Sequence, residues 1–170
     1  MRTLTRLTIL AAALLLTAPV AAETLSYDFL DYQDVTVGVP WTDQGLTFAI
    51  TSNGSNDAVI STRYGLVLGT VILTVDLAPL TDVGEIACQI YTASDFTPTR
   101  VSLYSEASLI SEISSSEIRR METLTVNAGG AAARWLRITS DNSRLEEMTI
   151  QHGTVANEPA TWSAVKTLYR

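Results

Sequence analysis

Apolar and polar residues alternate with a period of two along most of this chain. Leu46, Phe48 and Ile50 alternate with Thr47, Ala49 and Thr51, and Val71, Leu73, Val75 and Leu77 alternate with Ile72, Thr74 and Asp76. The same beat returns in Ile86, Cys88 and Ile90, in Val101 with Leu103, in Leu124 with Val126 and in Leu136 with Ile138. Successive side chains of a strand point to opposite faces, so this spacing predicts half-buried β-strands rather than helices. Turn-forming clusters separate the runs at Ser52–Asp57, Pro79–Gly84, Ser94–Pro98, Ala128–Gly130 and Ser140–Ser143. Roughly nine or ten short strands on that spacing predict an all-β sandwich or barrel. In the last run Met148 and Ile150 are in phase but Leu145 is not, so a β-bulge or a late strand start is expected at Glu146-Glu147. The segment Ser114–Glu122 fits either a single capped helical turn or a hairpin connection.

The two ends of the chain do not share this pattern. Residues 1–22 read as a cleavable export signal: Arg2 and Arg6 precede a largely apolar Leu7–Leu16, and Val20-Ala21-Ala22 places small residues before Glu23. The apolar stretch of ten residues is too short for a membrane anchor, which needs about 20. No Cys lies near the cleavage point, so no lipid anchor is expected, and the protein is expected in the periplasm or outside the cell. Cleavage would remove two basic residues of 11 and none of the 18 acidic ones, leaving a net charge of −9. An acidic surface without a basic stripe excludes nucleic acid as a partner, and one Lys (Lys166) without a polybasic cluster argues against anionic membranes. The remaining organisation is one domain over residues 23–152, then a linker and short tail over 153–170. Thr161 could cap a brief helix that puts Trp162, Val165 and Tyr169 on one face with Leu168 beside them. A helix that short needs something to dock on, either its own domain or a partner.

Residues that could carry chemistry are few. Cys88 has no second cysteine to pair with and lies in phase with Ile86 and Ile90, as a small core residue would. His152 is the single histidine, no G-x-S-x-G elbow accompanies it, and one His with one Cys cannot build a usual zinc site. Asp76, Asp82, Glu85 and Asp95 could pair as glycosidase carboxylates, but all sit in or near turns where acids are ordinary. An enzyme is therefore not expected. Aromatic residues offer a binding chemistry instead. Trp41 lies in a loop, and Tyr64 lies beside Arg63 between two apolar runs. Tyr91 and Trp135 are out of phase with the buried sets around them. These five, led by Trp41, Arg63 and Tyr64, are the candidate ligand-binding residues, although packing roles fit them too.

Tyr27-Asp28-Phe29-Leu30-Asp31, Gly45-Leu46-Thr47-Phe48, Arg100–Tyr104, Trp135–Ser140 and Leu145–Ile150 occur in the order seen in secreted bacterial jelly-roll domains of the galactose-binding or carbohydrate-binding-module type, which this chain resembles over most of residues 24–151. The resemblance implies an antiparallel jelly-roll β-sandwich and a non-catalytic module that binds carbohydrate or an envelope component. It also implies a structural calcium where the first and last strands meet, with Asp28 or Asp31 and Glu146 or Glu147 as ligands. Solvent-facing acids account for the same residues, because Asp28 and Asp31 fall on opposite strand faces. The alternative function is a structural protein of the envelope that meets its partner through the tail or an edge strand.

Overall fold

The computed structural model describes residues 22–30, 35–53, 59–62, 65–93, 97–116 and 119–153. Within them the chain is all-β and antiparallel, with ten strands: β1 (Ala22–Asp28), β2 (Trp41–Asp43), β3 (Leu46–Ser52), β4 (Val59–Thr62), β5 (Gly65–Asp76), β6 (Glu85–Thr92), β7 (Arg100–Tyr104), β8 (Leu109–Ser114), β9 (Met121–Asn127) and β10 (Trp135–Gly153). No helix occurs among the described residues, including Ser114–Ser116 and Arg119–Glu122 at the two ends of the segment that fits either a helical turn or a hairpin connection. The export signal and the tail beyond Gly153, with Trp162, Val165, Leu168 and Tyr169, lie outside the described residues.

Two long strands organise the sandwich. The first part of β10 pairs with β5 on one side and β7 on the other, Trp135 standing opposite both Asp76 and Tyr104. With β3 and β2 beyond β5, and β8 beyond β7, this makes one layer. The last part of β10 pairs instead with β1 and β6, and β6 pairs with β9, making the second layer. The two layers are therefore one hydrogen-bonded sheet folded over, with β5 and β10 running through the fold. Ser140–Ser143, expected as a turn, is the interior of the 19-residue β10. Asn142 takes a left-handed φ of 75° there, a conformation Asn tolerates better than most residues. Ser140 and Ser143 both point inward and are buried. Their hydroxyls lie 2.6 Å apart, and that of Ser140 donates to the Leu68 carbonyl oxygen at 3.0 Å. The polar cluster is thus a satisfied bend within a strand.

The expected bulge is present. The β10–β6 register slips between Leu145 and Glu147. It falls where β10 exchanges partners: Leu145 still pairs with Leu66 of β5, whereas Glu147 pairs with Asp28 of β1. The extra residue is used, because the Glu146 carbonyl accepts the Phe29 amide at 2.9 Å. A tighter connection joins β2 to β3, where Gln44 and Gly45 both have positive φ (44° and 82°), the signature of a two-residue hairpin turn.

The core lies between the layers and takes the apolar partner of each alternation, including Leu46, Phe48, Leu73, Ile86, Ile138 and Ile150, all without solvent exposure. At one end four aromatic rings close it. Tyr27 meets Phe48 edge-on at 5.2 Å, Phe29 meets Phe48 at 6.3 Å, and Trp41 stacks on Phe48 at 5.2 Å. β1 of the second layer is thereby packed against β2 and β3 of the first, each ring contact adding to area burial.

Candidate functional site

The outer face of the first layer gathers the side chains that can hold a ligand. Residues of β10 in antiphase to Leu136 and Ile138 point outward there, which sets Trp135 and Arg137 side by side on one face. Cross-strand pairing then places Tyr104 and Asp76 on either side of Trp135, and Ser102 and Thr74 on either side of Arg137. Glu112 of β8 lies beyond Ser102. Trp135 and Tyr104 are each half-buried, so their rings form part of the surface without leaving it.

The charges around these rings are organised in pairs. Arg134 grips Asp76 with two nitrogens at 3.2 and 3.3 Å, and its guanidinium lies 4.5 Å above the Trp135 ring. Asp76 also accepts the Ala78 amide at 2.9 Å. Glu112 accepts the Ser102 hydroxyl at 2.8 Å and pairs with Arg100 at 3.4 Å. Arg137 is exposed and rests 4.9 Å over the Tyr104 ring. A cation over an aromatic face is held electrostatically, so these guanidinium groups are oriented rather than free-swinging. The result is a pair of neighbouring rings, each with a guanidinium over one face and with hydrogen-bond donors and acceptors around it.

The expected binding residues do not converge on this face. Trp135 is on it. Trp41 instead packs on Phe48 at the end of the core, and Tyr91 lies on the outer face of the second layer with Arg144 at 4.9 Å over its ring. Arg63 and Tyr64 lie outside the described residues. Tyr104, Arg134 and Arg137 share the face with Trp135 without being among the expected residues, although Tyr104 carries the signal that singles out Tyr91 and Trp135: it is out of phase with the buried Val101 and Leu103.

Of the carboxylates named as calcium ligands, Asp28, Glu146 and Glu147 are described. Asp28 pairs in register with Glu147, and its Oδ1 accepts the Leu30 amide at 2.9 Å. Glu147 accepts the Gln89 side-chain amide at 3.0 Å and the Ser26 hydroxyl at 3.4 Å, while Glu146 is ion-paired with Arg144. Asp31 lies outside the described residues, and among those described no group of three or more His, Cys, Asp or Glu could hold a metal ion.

His152 keeps its Nδ1 3.3 Å from the neighbouring Gly153 carbonyl oxygen and stands opposite Glu23 on β1. Burial pushes the Cys88 thiol up to about 12, far from a nucleophile's range. A hollow of about 470 Å³ opens between the Leu80–Gly84 loop and Gly130–Ala133, with Thr81 and Asp82 as its polar side chains. Asp95 lies outside the described residues. No helix among those described is long and apolar enough to cross a membrane.

No protein-family model matches this chain. No curated protein matches it either. Among solved structures it is similar to a mutant of a family 29 carbohydrate-binding module, at 9% identity and a TM-score of 0.44, over 89% of this chain and 99% of that one. It is also similar to the lectin-binding domain of lectinolysin in complex with Lewis b, at 14% identity and a TM-score of 0.40, over 69% and 100% of the two chains. A third is the C-terminal family 6 carbohydrate-binding module of a marine laminarinase from Zobellia galactanivorans, at 14% identity and a TM-score of 0.38, over 75% and 98%.

Proposed function

We propose that this protein is an exported, non-catalytic carbohydrate-binding module that holds a glycan on the outer face of its first layer. The observation that supports the reading is the cross-strand pair Trp135 and Tyr104, set directly opposite one another and edged by Arg134, Asp76 and Arg137. A pyranose presents a C–H face that stacks on an aromatic ring and hydroxyls that leave its rim nearly in plane. Two neighbouring aromatic rings, with guanidinium and carboxylate groups over and beside them, offer apolar surface for the first and hydrogen-bonding partners for the second. Because the two rings stand on paired strands, they keep their spacing without a ligand, so little ordering entropy opposes binding.

The test is binding of the purified protein to a panel of soluble polysaccharides by affinity electrophoresis and titration calorimetry. Trp135→Ala and Tyr104→Ala are each expected to weaken binding by about 1 kcal/mol or more, roughly fivefold, with the far-ultraviolet spectrum unchanged. Trp41→Ala should instead lower stability, since Trp41 packs against the core. A wild-type protein that binds no glycan, or a Trp135→Ala protein that binds as well as wild type, overturns the reading.

A further inference from the structure

The glycan that suits this face is an acidic one. We infer that Arg137 selects polysaccharides containing uronic acid by pairing with the sugar carboxylate; the inference rests on the glycan-face reading.

The argument starts from how charge is used on the face. Asp76, opposite Trp135, and Glu112, opposite Ser102, are already engaged. Asp76 is held by two nitrogens of Arg134 and by the Ala78 amide. Glu112 is held by Arg100 and by the Ser102 hydroxyl. Arg134 and Arg100 are neutralised by the same contacts. Arg137 differs: among the described residues it makes no ion pair, and its guanidinium lies 4.9 Å over the Tyr104 ring. It remains exposed, with a planar fork of donors whose geometry matches a carboxylate's two oxygens. An unneutralised, oriented cation on a chain with 18 acidic and 11 basic residues is a local exception to the chain's charge.

Its position fits the chemistry. Trp135 and Arg137 are two residues apart on the same strand face, about 6.8 Å along β10. From there the Arg137 guanidinium leans over Tyr104, the cross-strand partner of Trp135, which brings it beside the place where a sugar would stack. Thr74 flanks Arg137 in register on one side, and on the other lies the buried Ser102, whose hydroxyl is held by Glu112. The overall negative charge opposes the approach of a polyanion only at long range, and at physiological salt that repulsion is screened beyond about 8 Å. The contact with Arg137 is short and is screened far less.

The experiment compares alginate and polygalacturonate with a neutral β-glucan, a neutral xylan and dextran sulfate, using the purified protein at about 0.15 M salt. Polyuronates are expected to bind about tenfold more tightly than the neutral chains, the scale of one charge-assisted contact. In Arg137→Gln the ratio of acidic to neutral affinity should fall to near unity, whereas Trp135→Ala should weaken both classes alike and leave that ratio in place. Equal wild-type affinity for acidic and neutral glycans overturns the inference and leaves the glycan face standing, as does a preference that survives in Arg137→Gln. Dextran sulfate bound more tightly than the polyuronates overturns the carboxylate assignment. Failure to bind any glycan removes the glycan face itself, and this inference with it.

Discussion

Cys88 sits on β6 between Ile86 and Ile90 with no exposed surface, opposite Met148 on one neighbouring strand and Leu124 on the other. Burial disfavours the thiolate, raising the thiol from its usual 9.0 to about 12. Below about pH 9 the thiol is protonated in both folded and unfolded chains and adds no pH dependence. Between 9 and 12 the unfolded chain releases the proton and the folded one keeps it, so stability falls as pH rises through that window. A thiol reagent at pH 8 should therefore leave the native protein unlabelled and modify one thiol per chain in urea. Labelling of the native protein at the rate of a free thiol would show that the core is not closed there. The buried position of Cys88 was legible from its phase with Ile86 and Ile90. So was the outward phase of Trp135. Its partnership with Tyr104 was not, because it depends on β7 and β10 pairing across the intervening β8 and β9, and no local pattern encodes that register.

At the scale of elements, β10 decides the architecture, and Gly65 shows how closely β5 must approach it. Gly65 opens β5 at a φ of 114°, which side-chain-bearing residues rarely adopt, and a Cβ there would run into the Leu145 carbonyl oxygen and the backbone of Glu146. This is the place where β10 bulges and passes from β5 to β1. Gly65→Ala is expected to cost about 1–3 kcal/mol, read as a lowered urea midpoint. An unchanged midpoint would mean that the strands are not this close. A control is Gly45→Ala in the β2–β3 turn, where φ is also positive but nothing lies within 4 Å; it should cost less. The bulge itself could be read from Leu145 falling out of phase with Met148 and Ile150. The continuity of β10 could not, because Ser140–Ser143 has the composition of a turn. What keeps it in a strand is non-local: the Ser140 hydroxyl reaching Leu68, the Thr70 hydroxyl donating to Asp141 at 3.1 Å, and the Ala93 amide donating to the Asn142 carbonyl at 3.0 Å. Local composition predicts a turn wherever polar residues cluster, and it fails where distant strands satisfy them.

Over the whole molecule, the first and last described strands are partners. β1 pairs with the end of β10 from Ala22↔Gly153 to Asp28↔Glu147, and the Gly153 amide and carbonyl are tied in turn to the loop before β6, through the Thr81 carbonyl and hydroxyl. An incoming chain that lost β1 would uncover Tyr27 and Phe29, which are buried against Phe48, and would leave β10 with an unpaired edge. A leader peptide can therefore be removed only up to the first rung of β1. The proposed cleavage before Glu23 meets that limit closely: it gives up Ala22, the terminal rung of the ladder, whose side chain is exposed, and keeps the apolar Leu25, Tyr27 and Phe29. Cleavage a few residues later would remove Leu25 from the core face and start to expose the aromatic end. Protein recovered from the periplasm or the medium of an expressing bacterium is expected to have the mass of residues 23–170 and to unfold in urea in one cooperative transition. Recovery only in the cytoplasm with residues 1–22 attached would overturn the export reading. An exported chain trimmed beyond Leu25 would contradict the role of β1, because the remaining strands could not close that end of the core.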